Sequence, residues 1–266
     1  MLGYRRLRAR TRSVRHHKPV LGTRGALFLA GYAVLWVALI SPLHPLGEEL
    51  FSVHMVQHIL LTLVAPPLLL LSNSMPVLLW AFPQTERRGL GRLIGQPGRL
   101  QTALRWLTRP AVAWTLFVCT QWLWHTPAAY QWALGSRWAH YVEHVSFFAT
   151  AMLFWWPVIG AAPLPSRLGY PARMAYTFLA WLPNSLLGAG IALSRGILYP
   201  YYSVAGQRLG IDAYGDQQLA GLIMWVPGDV LFAVILLLLF GAYLRYEERE
   251  AERMDRELDR ADRLMG

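Results

Sequence analysis

The sequence predicts an all-α, polytopic membrane helix bundle of about six spans with both termini in the cytoplasm, and three observations carry that prediction. Of 266 residues, 55% are hydrophobic and only 15% charged, well below the roughly 25% charged content of an ordinary soluble domain. The charges are bunched between long uncharged stretches, as crossing about 30 Å of hydrocarbon requires, and mean hydropathy is positive at +0.31. The basic residues are also partitioned. The tail to Arg24 holds eight, the connection from Ser72 to Pro110 six, that from Ala162 to Arg173 two, and the tail after Tyr243 six, whereas the three alternate connections hold only Arg137, Arg195 and Arg208. A split of 22 to 3 places the rich side in the cytoplasm by the positive-inside rule.

Residues 1–24 read as a basic cytosolic tail, because the arginines are not followed by a short apolar core and a small-residue cleavage site. The membrane domain covers 25–243. Its spans are expected at Gly25 to Leu43, Leu50 to Leu71, Ala111 to Trp124 (extending back to about Arg109), Trp138 to Ala161, Met174 to Leu193 and Gln217 to Tyr243. Phe51 to Thr85 contains no charged residue and as one helix would run about 50 Å, too long for a single crossing. Pro66 and Pro67 are expected to kink it, Asn73, Ser74 and Pro76 to end it, and Val77 to Phe82 to form an interfacial or re-entrant seventh piece. Residues 244–266 interleave acids and arginines along a thin apolar line, Ala251, Met254, Leu258, Ala261 and Leu264, the pattern of a solvated cytosolic helix continuing the last span or docking a partner.

The net charge of +10 is accounted for by topology and anionic lipid headgroups, so membrane lipids are expected partners and nucleic acid is not. The single cysteine, Cys119, excludes an internal disulfide, a CxxC pair and an all-thiolate metal site. Its place in the third span reads as packing. Metal chemistry therefore falls to His, Met and carboxylate.

Of the eight histidines, His16 and His17 lie in the basic tail. The other six lie near the outer ends of the spans, within about 12 Å of that boundary. His44 is in the first outer connection, His54 and His58 open the second span, His125 ends the third, and His140 and His144 open the fourth. His54 with His58 and His140 with His144 are i,i+4 pairs, whose rings project about 40° apart on one helix face, so that one metal can take both. If the second and fourth spans face each other, four imidazoles converge and His125 supplies a fifth. Imidazole suits copper, zinc, iron and haem iron. Singly, a histidine at a membrane interface is usually a hydrogen-bonded structural residue, but five at one depth are costly without a shared partner.

Weaker candidates surround these. Glu143 is either a carboxylate that orients a ring or a solvated interfacial residue. Met55 and Met224 are either soft ligands or core. Asp216 and Gln217, at the outer start of the last span, either join the histidines or cap a helix. Asp229 falls about 18 Å into the last span, a depth at which an acid is structural when paired or otherwise a proton relay, and Asn184 is its candidate partner.

The order of the motifs HMVQHILLTLVAPPLLLL (His54 to Leu71), WLWHTPAAYQWAL (Trp122 to Leu134), HYVEHVSFFATAMLFWWPV (His140 to Val158), LYPYY (Leu198 to Tyr202) and DQQLAGLIMWVPG (Asp216 to Gly228) resembles the multi-pass cytochrome c oxidase assembly factor CtaG family, associated with caa-type oxidases. The resemblance spans about residues 25 to 243. It implies a bacterial plasma-membrane protein, not itself an enzyme, that helps build haem-copper oxidase by handling copper. The family's histidine motifs fall on His54, His58, His125, His140 and His144. The partners it implies are oxidase subunits, and its metal site faces the periplasm or cell exterior. A competing reading of the same histidines is a redox protein with haem held between His pairs on two helices. A histidine-rich di-iron oxygenase is disfavoured because its histidines sit on the cytosolic face, opposite to the side the charge split gives here.

Overall fold

The computed structural model describes residues 18–73, 98–162 and 166–265, with isolated positions 83 and 86. Every element among them is helical: α1 (Lys18–Leu39), α2 (Leu43–Glu49), α3 (Phe51–Leu71), α4 (Arg99–Leu107), α5 (Pro110–Trp124), α6 (Pro127–Gly135), α7 (Arg137–Ile159), α8 (Tyr170–Ala192), α9 (Tyr201–Ala205), a 3₁₀ turn (Gly206–Leu209) and α10 (Ala213–Met265). Gly22–Leu39, Phe51–Leu71, Arg137–Ile159 and Ala213–Leu264 are long and apolar enough to cross a membrane. Helix α5, at 15 residues, reaches only about 22 Å, and Thr177, Asn184 and Ser185 dilute the apolar character of α8. The first helix begins at Lys18, seven residues before the expected start, and stops at Leu39, so that His44 rides on the separate helix α2. The expected interfacial piece Val77 to Phe82 lies outside the described residues.

The helix boundaries follow local chemistry. Proline opens α5 and α6, where its missing N–H is unneeded. Ser136 caps α7, its hydroxyl accepting from the Ala139 amide, and Gly160 ends α7 at φ 74°, the left-handed conformation that glycine adopts freely. Asn73 ends α3 at φ 45° and accepts from the Ala162 amide across the bundle. No such stop occurs between Ala213 and Met265, so the last span and the charged tail form one helix of 53 residues, about 80 Å long.

Inside α3, Leu60–Val64 winds as a π turn immediately before Pro66 and Pro67. The Thr62 carbonyl would receive residue 66 in an α register and residue 67 in a π register, and both are prolines without an N–H. The Trp155 indole of α7 donates to it instead, at 2.8 Å. Trp155→Phe, which removes the donor and trims the buried indole to a smaller ring, is expected to cost at least the roughly 1–3 kcal/mol of an orphaned buried carbonyl, with the loss of packing added to it. A thermal melt in detergent that matched the parent would refute this.

Among the described residues two large apolar clusters fill the bundle, beside a smaller one of Trp124, Ala133 and Phe147. The first large cluster gathers Leu63, Leu70, Phe117, Phe154, Trp155, Tyr176 and Phe232, and the second Phe51, Met55, Tyr130, Leu187, Tyr199, Tyr202 and Met224. Helices α8 and α10 approach closely at glycines. A Cβ on Gly188 would meet the Trp225 backbone at 2.8 Å, and Gly221 abuts the Ala192 backbone, the small-residue contact by which helices pack in lipid. Cys119 is exposed, so it packs in none of these clusters. That corrects the sequence expectation: it lies on the outward stripe of α5, while Ala113 and Phe117 take the inward one.

Candidate metal centre

The i,i+4 pairs come together as their spacing predicts. The histidines at the starts of α3 and α7 reach each other, with the His54 and His144 Nε2 atoms 3.3 Å apart. Ring centroids are 4.4 Å apart for His54 and His58, 4.3 Å for His140 and His144, and 5.2 Å for His54 and His140. His125, just past the end of α5, meets His58 at 5.5 Å, and half-buried His44 stacks on His140 at 5.5 Å and 14°. All six outer histidines therefore join one cluster. Among the described residues, His54, His140, Glu143 and His144 form one group whose potential ligand atoms all lie within 4.8 Å of one another.

Glu143 is completely buried, which overturns the interfacial reading. Its Oε1 lies 3.5 Å from His58 Nε2 and its Oε2 3.9 Å from His54 Nε2, and neither oxygen has a hydrogen-bond partner. Both His58 ring nitrogens, His125 Nε2, His140 Nε2 and His44 Nδ1 are likewise buried without one. Natural interiors carry few such atoms, and this concentration of nitrogen donors around one carboxylate is the donor set of a borderline transition metal. The residues fit the copper implied by the resemblance.

The surroundings aim these rings. The His125 Nδ1–H donates to the Gln121 carbonyl at 2.7 Å, leaving Nε2 as the lone-pair nitrogen. Burial pushes this imidazole down to about 4, so it stays neutral. Tyr199 donates to the His125 carbonyl at 2.7 Å. The His54 Nδ1 lies 3.0 Å from both the Tyr130 and the Tyr202 hydroxyl, and Tyr202 donates its proton to the Gly47 carbonyl. Burial holds both phenols well above their ordinary range, so they remain neutral. These tyrosines were not among the sequence candidates, although Tyr130 and Tyr202 lie inside the quoted motifs.

The weaker candidates separate. Asp216 accepts from the Phe51 amide at 2.6 Å and the Ser52 amide at 3.3 Å, so it caps α3, the helix that carries His54 and His58, and takes no place among the grouped ligand atoms. Gln217 accepts from the Leu198 amide and donates to the Gly196 carbonyl, tying down the chain that leads to Tyr199 and Tyr202. Met55 and Met224 pack in the second apolar cluster. Asp229 accepts from the Trp181 indole at 2.5 Å and from the Ser185 hydroxyl. Asn184 is not its partner: on the next helical position it turns toward Gly228, and its Nδ2 has no hydrogen bond.

Comparison with known proteins adds a family to this geometry. The chain is 27% identical over 238 residues to the uncharacterized protein Mb0105 of Mycobacterium bovis, and equally to the uncharacterized protein MT0111 of Mycobacterium tuberculosis, covering 87% of this chain and 36% of each relative. The uncharacterized protein ML1998 of Mycobacterium leprae is 25% identical over 241 residues, again 87% of this chain and 36% of the relative. The chain thus spans about a third of the length of these curated relatives. No solved structure matches it. A family model described as cytochrome c oxidase caa3 assembly factor (Caa3_CtaG) matches residues 1–246; the chain belongs to that family of oxidase assembly factors.

Proposed function

We propose that the protein is a non-enzymatic copper-handling factor for haem-copper oxidase, which takes copper on the histidine cluster and passes it to an oxidase subunit. The observation that carries this reading is the convergence of His54, His140, Glu143 and His144 ligand atoms within 4.8 Å, with His58 and His125 adjoining, in a chain of an oxidase assembly family. Direct ring contacts of 4.3 to 5.7 Å suit an ion held between imidazoles and leave no slot for a macrocycle, which disfavours haem. In this reading the chain crosses the bacterial plasma membrane six times with both termini cytoplasmic, and α5 and α8 are spans. The cluster then faces the periplasm or cell exterior, because the connections meeting there hold only Arg137, Arg195 and Arg208. No enzymatic step is required. Copper is cargo, and the chain's work is to bind it and release it.

The test is metal content of the detergent-purified protein beside a variant with His54, His58, His140 and His144 all changed to Ala. Copper is expected in the parent and not in the variant, with oxidase maturation lost in cells carrying the variant. A copper-free parent, or a variant that still matures oxidase, would overturn the proposal.

A further inference from the structure

The cluster is larger than one ion can use. A transition-metal ion binds imidazole nitrogen at about 2.0–2.1 Å and takes four ligands in a typical closed site, whereas six histidines and a carboxylate gather here. The compact group of His54, His140, Glu143 and His144 suffices for one ion. His58 and His125 are left over. They face each other at 5.5 Å with planes 80° apart, and three of their ring nitrogens are buried without a partner. Phe147 closes this inner pair, 4.4 Å from His58 and 5.8 Å from His125, whereas half-buried His44 borders the outer group.

Glu143 divides the two sets. One oxygen lies toward His58 and the other toward His54, and neither makes a hydrogen bond. A carboxylate presented in this way can bridge two ions, one on each oxygen. We propose that the cluster is a two-ion site: an outer ion held by His54, His140 and His144, an inner ion held by His58 and His125, and Glu143 bridging them. This inference rests on the metal-binding reading above and adds a second subsite to it. The inner position would retain copper while the outer one exchanges, since only the outer group adjoins a partly exposed histidine.

The probe is Cu(I) added anaerobically to the full chain in detergent, with bound copper counted by elemental analysis and its surroundings read by X-ray absorption. The parent should hold two ions per chain with a copper–copper vector at roughly 3.5–4 Å, the usual spacing of two-metal sites. His125→Ala and His140→Ala should each hold one ion and lose the vector. One ion per parent chain, or an unchanged count of two in His125→Ala, would overturn the two-ion site. Should the variants not fold, the parent decides, because two ions with no metal–metal vector would also overturn it. A parent that binds one ion leaves the copper-handling proposal standing, whereas a parent that binds none removes both.

Discussion

Glu143→Leu is expected to make the metal-free protein more stable and a much poorer metal binder. A carboxylate with no exposure, and with neither oxygen hydrogen-bonded, is held in surroundings that penalise charge heavily. Replacing it with an apolar side chain of similar volume removes that penalty, and such exchanges stabilise by about 1–4 kcal/mol in favourable cases. The same change removes the one carboxylate of the grouped ligand atoms and the negative charge that offsets a bound cation. The starts of α3 and α7 add to that need, because the positive ends of helix dipoles disfavour a cation. Copper affinity should fall by at least the roughly 10–100-fold seen when a ligand's support is lost. Melting of the metal-free protein and competition with a copper chelator measure the two effects. A variant that melts lower than the parent and binds copper equally well would show that Glu143 is structural.

The second large effect is expected from Tyr130→Phe combined with Tyr202→Phe. Tyr202 has one proton and gives it to the Gly47 carbonyl, so at the His54 Nδ1 contact its oxygen is an acceptor. Nδ1–H then donates to the phenol oxygens, and Nε2 presents its lone pair to His144 and Glu143, as a metal ligand must. Without the two hydroxyls the imidazole is free to rotate or to take the other tautomer. The expected loss of copper affinity is on the order of 10–100-fold, while the ring packing of Phe51 against Tyr130 and Tyr202 is retained by phenylalanine. Each single variant should lose less, because either oxygen can accept. Copper affinity equal to the parent in the double variant would dismiss this role.

The histidine pairs were legible because the 3.6-residue period alone puts i and i+4 on one face, and the charge split gives alternate connections to one end. The partners of those pairs were not legible. Position 143 lies at the edge of the His140–His144 face, and only the neighbouring α3 decides whether it meets water or imidazole. Tyr130 and Tyr202 are 72 residues apart in the chain, and their meeting over His54 depends on how α6 and α9 fold back. For Asp216 the sequence leaves open whether it joins the histidines or caps a helix, and the helix it caps begins 165 residues earlier, a pairing that no local rule supplies. Asn184 shows the opposite failure. Its depth matches that of Asp229, but the adjacent Ser185 and the indole of Trp181 take the carboxylate. The two prolines predict a break at Pro66 and Pro67, whereas the π turn and its indole donor depend on the position of Trp155.

That π turn makes the length of α3 a heritable constraint. A π turn is an α-helix with one residue inserted, and shortening Leu60–Val64 by one residue would turn everything before it by about 100° relative to everything after it. Either His54 and His58 would leave Glu143 or Leu63 and Leu70 would leave their apolar cluster. Between His58 and Pro66 the number of residues is therefore fixed more tightly than their identity. Substitutions among the leucines there should pass through the generations far more readily than any single-codon insertion or deletion.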